Sequence, residues 1–246
     1  MQESYLLFYL LLFIVAFLYA SVGHGGASGY LALMAIFAVS PAVMKPTALL
    51  LNLFVSSTSF IQFYRGRHFR WKTFWPFALA SVPLSFIGGM MVIENAVYKK
   101  MLGVLLLVPI FRFLVFKNTD PKDLRPASIT ISLIIGGLTG LLSGMIGIGG
   151  GIILSPLLLL LRWTDQKQTA AISAAFIFVN SVAGLGGQLV KGFEFNSYMV
   201  AYTGVAFAGG ICGAYFGALK FPQTVLKYVL ACVLALAAFK LLFTNA

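Results

Sequence analysis

Long runs of apolar residues, separated by short polar or glycine-rich breaks, recur along the whole chain. In the first half they fall at roughly 4–20, 29–39, 47–64, 73–93 and 97–116, and in the second at roughly 128–144, 151–161, 169–190, 198–219 and 224–243. Stretches such as Met101 to Phe116 and Val225 to Phe243 are apolar on every face. That is neither the alternation of a half-buried strand nor the single stripe of a surface helix. A helix needs about 20 such residues to cross about 30 Å of hydrocarbon, and in lipid only a helix or a closed barrel satisfies its own backbone. Barrel strands would alternate in short segments. The pattern predicts an all-α polytopic integral membrane protein.

Composition agrees: of 246 residues, 60% are hydrophobic and 9% charged, outside the range of soluble domains. The net charge of +11 is no nucleic-acid signature, because the basic residues sit in short loops and no basic helix accompanies them. Cys212 and Cys232 lie in apolar segments without His or Cys at metal-ligand spacing, so they are expected to be inert buried thiols. No metal or cofactor is expected. Residues 4–20 follow Glu3 rather than the basic stretch of a cleaved leader, and are expected to remain as a membrane helix.

The two halves repeat. Val97, Lys99, Leu102, Leu106, Phe111 and Leu114 fall without a gap on Val225, Lys227, Leu230, Leu234, Phe239 and Leu242. Upstream, each half has a glycine cluster, then Lys45-Pro46-Thr47 or Lys167-Gln168-Thr169, then Gly66 or Gly192. Residues 1–117 are read as a first transmembrane repeat, 118–127 as a cytoplasmic linker ending the polar run from Lys117, and 128–246 as a second repeat.

Lysine and arginine mark cytoplasmic loops. Arg65, Arg67, Arg70, Lys72, Lys117, Lys122, Arg125, Arg162, Lys167, Lys220 and Lys227 belong to one set of connections; Lys45, Lys99, Lys100 and Lys191 belong to the other, with Glu3, Glu94 and Glu194. The first set is expected on the cytoplasmic side of a bacterial inner membrane, and both termini on the outer face. Each repeat of about five segments then makes an odd number of crossings, whether its first two segments span or dip in as a hairpin. The repeats are therefore expected to be inverted, with glycine-broken helices or hairpins meeting near the midplane, an arrangement that builds one central site with two exits.

The breaks themselves carry the candidate chemistry. Gly23, His24, Gly25, Gly26, Ala27, Ser28 and Gly29 stand in one half where Gly147, Ile148, Gly149, Gly150 and Gly151 stand in the other. The segment after each break, about 11 residues long, would rise only about 17 Å as a helix, too little to cross. It should begin inside the membrane, with free N–H groups and the positive end of its dipole facing inward, a natural anion site. The alternative, close helix packing, suits Gly136, Gly140 and Gly144, and likewise Gly209, Gly213 and Gly217, which follow the small-residue spacing of packed helices.

The Gly147 to Gly151 stretch followed by Pro156, its echo at Gly23, Gly25 and Gly26, and the doubled layout resemble the TauE/SafE family over nearly the whole chain. The resemblance implies a bacterial permease for sulfite, sulfonates or other organosulfur anions. It carries over the glycines at 23, 25, 26, 147, 149, 150 and 151, with Ala27 where a third glycine is expected.

His24, an ionisable group placed within the membrane, fits an anion-binding or proton-relay role, and equally a neutral ring bonded to backbone, since Ile148 is its counterpart. Asn52, Ser56 and Ser59 share one helical face, as do Ser173 and Asn180. These neutral groups suit either a transported oxyanion or helix-to-helix hydrogen bonding, with Asn52 and Asn180 the leading lining candidates beside Ser28 and Ser56. Lys45 and Lys167 fit anion attraction at opposite entrances or ordinary snorkelling.

The resulting expectation is a secondary transporter of a small, sulfur-containing anion working by alternating access. Its partners would be that anion, the bilayer and a candidate coupling proton or ion, with no nucleic acid. A passive anion channel is the alternative; a membrane enzyme is a weaker one, since no nucleophile, base or metal motif assembles.

Overall fold

The computed structural model describes residues 2–21, 26–115, 124–193, 197–217 and 223–243. Their regular structure is helical: α1 (Gln2–Ser21), α2 (Ala27–Ile36), α3 (Pro41–Arg65), α4 (Trp71–Met90), α5 (Asn95–Val115), α6 (Ile129–Ile146), α7 (Gly151–Leu160), α8 (Gln166–Val190), α9 (Ser197–Gly217) and α10 (Gln223–Phe243). No strand occurs among the described residues. Helices α3, α4, α6 and α8 are each long and apolar enough to cross a membrane. Large apolar side chains face outward, such as Leu79, Leu138, Val200 and Leu236, while buried Ser, Thr and Asn lie within an otherwise apolar interior. That arrangement suits a hydrocarbon solvent.

Only α2 and α7 are short, at 10 residues each, about 15 Å of rise against about 30 Å of hydrocarbon. Both end in the same way. The residues after their C-caps, Ala38 and Arg162, have positive φ, and the following amides, Val39 and Trp163, reach back to Met34 O and Leu158 O, the Schellman pattern. The 25-residue helices α3 and α8 also share one ending: His68 N bonds Phe63 O and Phe193 N bonds Gln188 O, with Arg67 and Gly192 at positive φ.

Laid end on end by this common ending, α3 and α8 give a register that differs from the one expected from sequence: Arg67 rather than Gly66 stands opposite Gly192, and Pro41 opposite Gln166. On that register Asn52 falls on Ile177 and Ser56 on Ser181, whereas Lys45 falls on Ala170 rather than Lys167. The Lys-x-Thr likeness is displaced because α3 starts at Pro41, ahead of the apolar run. Proline suits a first helical position, and Pro46 follows within the helix. In α8 the start is set by Asp165, whose Oδ1 accepts from Gln168 N at 2.8 Å.

The main helix pairings match under exchange of α1–α5 with α6–α10. The α1–α9 pair answers the α6–α4 pair, while α3 packs on α8 and α5 on α10. The α1–α2 unit is a hairpin: Phe8 and Phe37 rings lie 5.2 Å apart at one end, and Tyr19 OH and Ser28 Oγ are 2.6 Å apart at the other. On that first face Lys240 Nζ also donates to Ile36 O at 2.7 Å, so α1 begins and α10 ends on the same side. On the opposite face Arg125 N donates to Arg162 O at 2.7 Å, joining the start of α6 to the end of α7. Cys232 is exposed and Cys212 half-buried, both free, which corrects the expectation of buried thiols. Their helices place them toward the periphery.

Backbone-to-backbone contact holds the α4–α6–α8 junction. A Cβ on Gly136 would come within 2.5 Å of Phe77 O, one on Gly140 equally near Ser81 Cα, and one on Gly144 would strike Ser85 O. Gly89 meets Gly184 O and Gly187 meets Phe86 O in the same fashion. The α1–α9 seam uses Gly209 and Gly213 against Phe13 O and Phe17 O. Because the opposing atoms are backbone, Gly144→Val should cost at least the about 1–3 kcal/mol typical of overpacking. Its thermal midpoint in detergent should fall sharply, while Gly204→Ala, with open space around it, should leave the midpoint unchanged or higher.

Candidate functional site

The second glycine turn is built by backbone conformation. Gly147 ends α6 at φ 88°, Gly149 has φ 75°, and Gly150 starts α7 at φ 72° and ψ −20°. These left-handed values favour glycine. A left-handed residue followed by a helical one turns successive N–H groups to one concave side, an anion-binding form of backbone, and the first N–H groups of α7 have no acceptor within the helix. The turn is buried throughout.

Its surroundings place it deep in the bundle. A Cβ on Gly149 would come within 2.8 Å of both Asn52 Nδ2 and Ile177 Cγ2, and these two residues sit midway along α3 and α8. A Cβ on Gly151 would press on Ile177 and come 3.0 Å from Ser173 O, and one on Gly150 would meet the Phe176 ring. Gly147 lies higher, against the backbone of Lys45.

Asn52 is fully buried, yet neither its Nδ2 nor its Oδ1 has a hydrogen-bond partner among the described residues. A buried polar group left so costs about 1–3 kcal/mol, which makes this amide the most exceptional side chain at the turn. Asn180 is partly committed, donating Nδ2 to Phe176 O at 2.8 Å while Oδ1 lacks a partner. Ser56 donates to Asn52 O at 2.6 Å, and Ser28 is bonded to Tyr19. The Ser28 bond joins α1 to α2, while the Ser56 hydroxyl returns to its own helix.

At the first turn, Gly23, His24 and Gly25 lie outside the described residues. Gly26 caps α2 at φ −74°; what demands a glycine there is the Tyr30 ring, which a Cβ would strike. Tyr30 is fully buried and its OH has no partner among the described residues. Sequence reading passed over Tyr30 as one more apolar position, although its place one helical turn after Gly26 is the signal that marks it. Gly26 and Gly149 thus each have pressed against them a fully buried polar side chain without a partner among the described residues. Ile148 and Ile152 beside the second turn and Ala27, Tyr30 and Leu31 beside the first belong to one continuous apolar cluster.

Lys45 lies inside the bundle rather than in an open loop. It is 7% exposed, and Nζ donates to Gly88 O at 3.1 Å and Gly89 O at 3.0 Å, capping the end of α4 where a cation is favoured. Lys167 is exposed.

A many-helix membrane bundle with two short helices starting in its interior, beside polar groups with no described partner, has the build of a membrane transporter. The model of the family described as "Sulfite exporter TauE/SafE" matches residues 8–241, and the chain belongs to that family. It is 34% identical over 241 residues to the probable membrane transporter protein y4hK of Sinorhizobium fredii, covering 94% of this chain and 95% of that one. It is 27% identical over 165 residues to the probable membrane transporter protein MJ0441 of Methanocaldococcus jannaschii, covering 66% of this chain and 61% of that one. It is also 22% identical over 225 residues to the probable membrane transporter protein YunE of Bacillus subtilis, covering 83% and 82%. No solved structure matches the chain.

Removing groups that lack partners should not harm folding. Tyr30→Phe and Asn52→Leu are expected to leave the thermal midpoint unchanged or raise it, by up to the about 1–3 kcal/mol that each orphaned group costs. A clear fall in the midpoint of either variant would reveal a structural bond and count against the site.

Proposed function

We propose that the protein is a secondary carrier for a small sulfur-containing oxyanion or organosulfonate, with sulfite as the leading candidate. The observation that carries this reading is the Asn52 amide, buried without a described partner against Gly149 at the middle of α3 and α8. The N-terminal dipole of α7 and the Asn52 Nδ2 donor suit a negative charge. Neutral donors also bind an oxyanion more loosely than a buried guanidinium would, which suits release. The family description adds the sulfur chemistry.

The two sets of five helices act in this reading as inverted repeats, supported by their matched lengths, endings and pairings. Arg65, Arg67, Arg70, Lys72, Arg125, Arg162 and Lys167 lie on the cytoplasmic side of an inner membrane, and the chain ends on the outer side. Alternating access then moves the ligand past a fixed central site.

Purified protein in proteoliposomes should show saturable flux of sulfite or a small sulfonate when sulfite, sulfate, thiosulfate and sulfonates are compared. Gly149→Ala and Asn52→Leu should reduce that flux at least about tenfold, the scale of one lost hydrogen bond to a charged ligand, at equal folded yield. Wild-type flux in both variants would refute the site, and non-saturating current would favour a channel.

A further inference from the structure

Two cavities open on the face that carries the ends of α2 and α4, and they share Pro41 and Asn95 at their rims. The larger, about 290 Å³, reaches Lys99 and Lys240. The smaller, about 170 Å³, is lined by Lys45, Tyr98, Met145, Gln188 and Lys191 among others. It stands over the second glycine turn. Tyr98 OH donates to Ile146 O at 2.8 Å, Met145 forms part of its wall, and the backbone of Lys45 packs on Gly147.

Its floor is a polar knot between the two sets of helices. From α3, Lys45 Nζ donates to Gly88 O, Gly89 O and, at 3.4 Å, Met91 O. From α8, Gln188 Nε2 donates to the same Gly89 O. Both side chains are more than nine-tenths buried. Among the described residues the hydrogen-bond partners of Lys45 Nζ are these three carbonyls, none of which carries a charge, so they solvate the ammonium without cancelling it, and a buried charge left so is costly. An anion in the cavity would supply the missing charge.

We propose that the smaller cavity is a second anion site, taking a free small oxyanion on Lys45, Gln188 and Lys191, and that the Lys45–Gln188 knot closes the way from it to Gly149 and Asn52. The kind of ligand rests on the function proposed above; the cavity and its floor do not. Lys45 Nζ would exchange a carbonyl for a ligand oxygen, loosening its tie to the end of α4. Lys191, at the exposed rim, draws the anion in.

The test uses full-length protein with Cys212→Ala and Cys232→Ala, and one new cysteine, Val92→Cys in the cavity or Leu49→Cys one turn below Lys45. A membrane-impermeant thiol reagent is applied to intact cells and to purified protein, with sulfate as the probe because it does not consume the reagent. Val92→Cys should react from outside, and sulfate should protect it. Lys45→Met or Lys191→Ser should raise the half-protecting sulfate concentration at least about fivefold, as expected for a lost charge-assisted hydrogen bond, while Lys45→Arg, which keeps the charge, retains most of the protection. Leu49→Cys should stay unreactive until Lys45→Met or Gln188→Leu opens the floor; unfolded variants are recognised by gel filtration, and Gln188→Leu then serves alone.

Absence of sulfate protection, protection unaffected by Lys45→Met and Lys191→Ser, or a Leu49→Cys that stays closed in both folded floor variants would overturn the proposal. Protection that appears in phosphatidylcholine nanodiscs only when phosphatidylglycerol is added would also overturn it, in favour of a lipid headgroup. Protection in a protein that moves no sulfur oxyanion would refute the proposed function alone. Sulfite flux without protection would refute this second site alone.

Discussion

Hydrocarbon offers no hydrogen bonds, so each backbone group within the bilayer must find its partner in protein. Most of this chain meets that demand with continuous helices. The exceptions are the starts of α2 and α7 in the interior, where the first amides have no acceptor within their own helix and no side-chain cap among the described residues. Such breaks are tolerated only where protein or a cavity surrounds them, and here the surrounding protein is the middle of α3 and α8 and the cluster that links Ile148 and Ile152 to Tyr30 and Leu31. The long helices therefore form a casing whose shape is dictated by two short ones.

Glycine serves that casing in two distinct ways. In the seams it removes side chains so that backbones touch, as where Gly89 meets Gly184 and Gly144 meets Ser85. Without an apolar driving force between helices in lipid, such close packing is a main source of association. In the second turn it supplies left-handed backbone at Gly147, Gly149 and Gly150. Backbone conformation separates the two: the seam glycines lie within helices, whereas those of the turn have positive φ.

That difference explains what could be read from the chain. The membrane class, the ten segments and the two short helices were legible because length and apolar continuity are local properties, and the seam role of Gly136, Gly140 and Gly144 followed from helical spacing. Lys45-Pro46-Thr47 looks like the preface to a helix, whereas Pro41 starts α3 and draws Lys45 inside it, so matching α3 to α8 by their ends shifts Lys45 away from Lys167. The bond from Lys45 to the end of α4 joins residues more than 40 positions apart, and nothing local announces it. Tyr30 was hidden for a related reason: a tyrosine among leucines is usually packing, and only the fold shows that its hydroxyl finds no described partner.

Asn52 and Asn180 looked alike in the sequence among several polar residues, and the hydrogen bonds of the described residues set Asn52 apart. Ser56, Thr58, Thr139, Ser155 and Thr203 return their protons to carbonyls of their own helices, a cheap way to carry a hydroxyl through lipid. Ser85 bridges to Asn180 O and Ser155 to Ser173, so part of the polar interior is glue, as ordinary helix packing would have it. Glue does not describe a fully buried primary amide whose polar atoms both lack a partner among the described residues, because a leucine in its place would leave nothing unpaired. The proposed carrier reading rests on that contrast: the amide stands against Gly149, where α7 begins in the middle of the bundle.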